Sequence, residues 1–177
     1  MTMKLIWLDL ETTSLDPATG AILELAVAEA DLKAPFDHGP IRSLVFGWDE
    51  REHRLSELVR DMHTNSGLFD ECATSAWSVR DVEDDLLTFV PEVADKYDRP
   101  TLAGRGVHFD LGFLRKHMPR LAARLSYRVY DVSAVGLFCE SLGMPRLKKR
   151  EAHRASADVL ESIEHAKRCA EWLTGGA

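Results

Sequence analysis

The chain reads as one α/β domain, a mixed five-stranded sheet with its first three strands antiparallel and helices on its flanks. Three observations predict this. Three strand-like apolar runs come first and close together, so short connections fold them as an antiparallel meander. After them helical and strand-like segments alternate, which is the pattern of an α/β fold. No linker, repeat or shift of composition interrupts the 177 residues, so residues 1–177 are expected to form a single domain.

The elements follow in order. Lys4–Leu10 (KLIWLDL) is rich in strand formers and runs toward Thr12-Thr13-Ser14, a turn-like cluster. Gly20 opens a second strand, Ala21–Ala30, and Pro35 soon follows its end. Ile41–Phe46 is the third, closed by Gly47. Arg54–Asp61 reads as a short helix. Ser78 reads as an N-cap with Asp81 three residues on, and Val82, Leu86, Phe89, Val90 and Val93 then recur at helical spacing. Thr101–Ala103 is a brief strand between Pro100 and Gly104. Val107–Met118 is a helix closed by Pro119, Tyr127–Tyr130 the last strand, and Ser133–Leu142 a helix stopped by Gly143. Along Ala155–Leu173, residues Ala155, Val159, Ile163, Ala166, Ala170 and Leu173 form one apolar stripe. Glu161–His165 and Glu164–Arg168 are expected as i,i+4 pairs on its outer face.

Composition narrows the function classes. Hydrophobic residues make up 45% and charged residues 29%, which is ordinary for a globular domain and excludes disordered or collagen-like chains. The formal net charge is −7, so a broad basic face for long duplex DNA is not expected. Short anionic substrates remain compatible where metal ions neutralise local carboxylates. Cys72, Cys139 and Cys169 are scattered and odd in number, and read as free thiols in a reducing compartment. No signal peptide is visible, and the apolar runs fall short of the roughly 18–20 residues that span a bilayer. A soluble cytoplasmic protein with no membrane partner is expected.

Three sets of residues carry candidate chemistry. Asp9 and Glu11 lie two apart on a strand and so share a face, where they repel unless a divalent cation lies between them. Taken alone, D-x-E is also common on solvated strand ends. His153 and Asp158 stand five apart at the start of the last helix, and by themselves read equally as a polar helix start. Asp110 sits early in the helix after the fourth strand, where the helix dipole alone would favour an acid.

Taken together, these positions resemble the DEDDh 3′–5′ exonucleases, whose motifs end in D-x-E, D and H-x4-D. The segments LIWLDLETTSLD (Leu5–Asp16), HTNSGL (His63–Leu68), RKHMP (Arg115–Pro119), YRVYDVS (Tyr127–Ser133) and HRASADVLES (His153–Ser162) are similar to the oligoribonuclease branch, over about Leu5 to Leu173. The resemblance implies a ribonuclease H-like fold and hydrolysis of very short RNA, especially 5′-phosphorylated dinucleotides, to nucleoside 5′-monophosphates. It implies that Asp9, Glu11, Asp110 and Asp158 bind two divalent ions, Mg²⁺ or Mn²⁺, and that His153 is the general base. Leu15 and His63 would wedge against the bases. Tyr127, Arg128 and Ser133 would hold the 5′ phosphate, Tyr127 acting across a homodimer.

One departure stands out. The family pattern G-N-S-x-x-x-D is Gly104-Arg105-Gly106 here, so a serine hydroxyl is missing. Arg105 either replaces its contact or points to solvent. The basic run Arg146–Arg150 is either a solvated loop or a phosphate-steering patch. Two other readings stay open at this stage. One is an exonuclease of the same family acting on longer single-stranded DNA or RNA. The other is a non-enzymatic binding module of this fold, against which the five intact catalytic positions argue.

Overall fold

The computed structural model describes residues 4–49, 55–147 and 153–175. In chain order the elements are β1 (Lys4–Thr12), β2 (Ile22–Asp31), β3 (Ala34–His38), β4 (Arg42–Val45), α1 (Glu57–Asn65), α2 (Leu68–Thr74) and α3 (Val79–Phe89). There follow β5 (Thr101–Gly104), α4 (His108–His117), α5 (Pro119–Arg124), β6 (Val129–Asp131), α6 (Val132–Ser141) and α7 (Ala155–Leu173). The sheet runs β3-β2-β1-β5-β6, with β4 also on β2. β1 and β2 are antiparallel, and β5 and β6 run parallel to β1 and to each other. The mixed α/β sheet is the expected one, with six strands among the described residues in place of five.

The additional strand is β3. Pro35 does not mark a stop; it lies within this strand, which Leu32-Lys33 folds back onto the end of β2. β4 continues along the same border, from Val27↔Arg42 to Glu24↔Val45. β3 and β4 are thus two halves of one edge strand, broken at residues 39–41. An edge tolerates a proline because the missing N–H would face solvent.

Helices α2 and α5 are too short to show an apolar period. Pro119 ends α4 and also opens α5, where a missing N–H costs nothing. α1 begins at Glu57 with Ser56 as its cap, and Arg54 lies outside the described residues. The capping box at Ser78 and Asp81 is formed, though α3 stops at Phe89 and Val93 lies beyond it. One expectation on α7 is corrected: His165 does not lie on an outer face. It is buried against Gly136, whose missing Cβ makes the room; a Cβ there would lie 2.7 Å from Nε2. Glu161 reaches Arg105 instead, at 2.9 Å.

Strand alternation divides β1 between two cores. Ile6, Leu8 and Leu10 belong to the larger one, with Val82 and Leu86 of α3 and Leu111, Phe113 and Leu114 of α4. Leu5 and Trp7 belong to the other, with Ala155, Val159, Ile163 and Ala166 of α7. Ala26, Ala28 and Ala30 of β2 line this second face, and their small side chains leave room for the helix.

Candidate active site

Asp9 and Glu11 continue the row of Leu5 and Trp7, so β1 delivers both to the face that carries α7. Asp158 sits beside Val159 at the start of that helix and is buried. The three carboxylates offer oxygens that all lie within 4.8 Å of one another. Charges so close repel by roughly 3 kcal/mol per pair near a protein surface. Three carboxylates are hard oxygen ligands and fit Mg²⁺ or Mn²⁺; zinc would favour His or Cys.

Asp110 approaches the same end of β1 from another element. β5 ends at Gly104, where a Cβ would lie 2.7 Å from the Leu8 carbonyl oxygen, so only glycine lets the two backbones pass. The chain then turns into α4 and carries Asp110 in its first turn. Its Oδ1 accepts the Leu10 N–H at 3.1 Å, the backbone link between Asp9 and Glu11. Burial pushes its carboxyl up to about 8. It stands beside the group of three and is not a member of it.

A buried histidine completes this end of the strand, with a second near it. His63 is fully buried; its Nε2 lies 3.1 Å from the Thr12 carbonyl oxygen and its Nδ1 lies 4.0 Å from Glu11 Oε2. Phe69 stands edge-on to its ring at 5.5 Å. Burial pulls the His63 imidazole below its ordinary value, and the nearby His153 pulls it the same way. His153 has φ 46°, the left-handed region, and no other non-glycine residue among those described does so.

The expected substrate residues are placed around this centre. Leu15 is 84% exposed on the loop after β1. That loop is tied at its base, where the Ala21 N–H donates to Thr13 Oγ1 at 2.8 Å. Ser133 opens α6, where its N–H donates to Asp131 Oδ1 at 2.9 Å. The same Asp131 oxygen accepts the Gly106 N–H at 3.0 Å, which ties the β5–α4 turn to α6. Ser133 lines a cavity of about 770 Å³ with Arg105, Leu137, Arg146 and His165 among its other walls. Gly106 has φ 65° and open space where a side chain would begin. Arg105 is neither at that gap nor in solvent alone, because it pairs with Glu161. Tyr127 and Arg128 are exposed, and Arg128 Nε donates to the Tyr127 hydroxyl at 3.2 Å. Of the basic run, Arg146 and Leu147 border the cavity, and Lys148–Arg150 lie outside the described residues.

The sequence reading missed Glu24, Arg154 and Glu71. Glu24 is wholly buried and accepts Arg154 Nε at 3.0 Å, the Ala155 N–H at 3.0 Å and Ser43 Oγ at 2.6 Å. Arg154 also reaches Glu71 at 2.7 and 2.9 Å. The signal for Glu24 was an acid inside the apolar run ILELAVA, since a buried glutamate is rare unless paired.

Comparison with known proteins bears on this arrangement. A family model described as exonuclease matches residues 6–165. An oligoribonuclease of Corynebacterium efficiens is 36% identical over 164 residues, covering 90% of this chain and 74% of that one. A probable oligoribonuclease of Dictyostelium discoideum is 36% identical over 174 residues, covering 93% and 87%. Among solved structures, the Mg²⁺- and Mn²⁺-bound form of S. pombe Pop2p superposes with a TM-score of 0.71 at 12% identity, over 98% of this chain and 85% of that one. Exonuclease I of Methylocaldum szegediense gives 0.72 at 16% identity, over 96% and 40%. These two likenesses show the shared ribonuclease H-like fold. With its carboxylates gathered at one end of β1 and its similarity spread over nearly the whole length, the chain belongs to the exonuclease family of nucleases, on the oligoribonuclease branch.

Proposed function

We propose that the chain is a 3′–5′ exoribonuclease that hydrolyses very short RNA oligomers, above all 5′-phosphorylated dinucleotides, to nucleoside 5′-monophosphates. The observation that carries this reading is the cluster of Asp9, Glu11 and Asp158, with Asp110 held at the same strand end, in a chain of this family. Two divalent ions held by the four carboxylates, Mg²⁺ or Mn²⁺, would neutralise charge at phosphorus and make water a better nucleophile. Asp9, Glu11 and Asp158 would supply ligand oxygens from their cluster, and Asp110 a further one from the α4 side. His153 takes the proton from the attacking water as its oxygen bonds to phosphorus. The 3′ oxygen leaves and takes a proton from solvent water.

The surroundings set substrate length. Exposed Leu15 meets the bases from the solvent side, and buried His63 backs the cleft wall. Arg128 and Ser133 hold the 5′ phosphate, with Tyr127 supplied by the second copy of a homodimer. Exposed Tyr127, Leu137, Phe138 and Leu142 on and around α6 support such a pairing of copies. No helix among the described residues is long and apolar enough to cross a membrane. Three buried free thiols suit the reducing cytoplasm.

A second reading is an exonuclease acting on longer single strands. Gly106 favours it, because no hydroxyl closes the 5′ side there, and Arg105 is engaged with Glu161. One experiment separates the two: product length over time on 5′-labelled RNAs of two, three, seven and twenty residues in Mn²⁺. Preferred cleavage of the dinucleotide supports the first reading, and faster cleavage of the twenty-residue RNA the second. Activity that survives a chelator overturns both.

A further inference from the structure

We infer that Arg154 is a positioning residue: clamped between Glu24 and Glu71, it fixes the strained turn that presents His153 to the carboxylates. This rests on His153 acting as the general base. A left-handed histidine stores backbone strain and persists only where its neighbours over-determine it. The residues that follow His153 do so. Arg154 occupies the N-cap position of α7, but its side chain makes no cap bond. The cap comes from Glu24, whose Oε2 accepts the Ala155 N–H at 3.0 Å across 131 residues of sequence. The same carboxylate accepts Arg154 Nε at 3.0 Å and Nη2 at 3.3 Å. Ser43 Oγ donates to its other oxygen at 2.6 Å. The far side of the guanidinium meets both oxygens of Glu71 on α2, at 2.7 and 2.9 Å. Two carboxylates hold the Arg154 charge firmly on, well above the ordinary arginine value.

The anchor has a specific address. Glu24 is the register partner of Glu11 across β1 and β2. The clamp therefore ties the His153 turn to the rung that carries a proposed metal ligand. Its other arm ties that turn to α2, which packs beside the helix of His63. Rotation about His153 would break the Ala155 bond and both arginine contacts at once. Only a planar fork spans two carboxylates in this way; a lysine keeps the charge and loses the geometry.

The test separates positioning from plain stability. Arg154→Lys should lower kcat about 10- to 100-fold on a 5′-phosphorylated dinucleotide, with KM changed less than about 2-fold. In a His153→Ala background the same substitution should change the residual kcat by less than about 2-fold, because the group it positions is gone. Circular dichroism and thermal melting check folding. If Arg154→Lys does not fold, Glu24→Gln with Arg154→Gln removes both charges together and is read in the same two backgrounds. An equal loss of kcat in both backgrounds, or none in either, overturns the clamp alone. Full activity of His153→Ala overturns the general-base assignment, and the clamp with it.

Discussion

Along β1, alternate residues lead two separate lives. Ile6, Leu8 and Leu10 enter the larger core with α3, α4 and α5. On the opposite face Leu5 and Trp7 hold α7, and then Asp9 and Glu11 take over the same row. The apolar face gains stability from every rung. The other face gives some of it up, because three carboxylates are gathered where apolar contact would be favourable. Substitutions on the two faces should therefore fail in different ways.

The largest expected effect is on the charged face. Asp9→Asn should lower turnover about 10³-fold, the scale of several kcal/mol of lost charge stabilisation. It should leave the metal-free melting temperature unchanged or raised, since one repelling charge is gone. Melting with and without Mn²⁺ checks this: the metal-induced rise should shrink with the activity. Substantial retained turnover would end the role given to this face. The apolar face gives the mirror image. Leu86→Ala, on α3, should cost about 2–5 kcal/mol in denaturant unfolding. Activity per folded molecule at low temperature should stay near the parent's, and a parallel loss of kcat would blur the division.

Acid sharpens the comparison, because His63 and His165 both lie on the charged side, one against Glu11 and one on α7. Burial pulls each imidazole below its ordinary 6.5. Well above pH 6.5 both imidazoles are neutral in the folded and unfolded chain, and these two groups leave stability unchanged. As pH falls below that value the unfolded chain takes up protons that the folded chain refuses, so stability drops. Urea midpoints between about pH 5 and pH 8 should show this slope on top of the opposite one from Asp110, whose carboxyl burial raises to about 8. His63→Gln and His165→Gln should each flatten part of it, and an unchanged slope in both would exclude them as its source. The smallest effect is local to α3, where Ser78→Ala removes the capping box and should cost about 1 kcal/mol with no change in kcat.

What could be read from the sequence follows the same division. The apolar stripe of α7 is periodic over five turns, so its span Ala155–Leu173 was plain. D-x-E on a strand and the H-x4-D spacing are local patterns, and the structure brings Asp9, Glu11 and Asp158 together. The clamp was not legible, because its members are remote: Arg154 meets Glu24 across 130 residues and Glu71 across 83. Nor does residue type announce a left-handed histidine. β3 was hidden by Pro35, since a proline reads as a stop unless one knows the strand lies on an edge. The inward turn of His165 depended on Gly136, a residue on another helix.

The break at residues 39–41 also bears on how copies of this protein can meet. One border of the sheet is the interrupted pair β3 and β4, and the other is β6, three residues long. A long, unbroken border of N–H and C=O groups is what recruits a foreign strand and seeds fibrils. Among the described residues neither border offers one. Lateral growth of the sheet is blunted at both ends, and association between copies is left to side-chain surfaces such as the apolar outer face of α6.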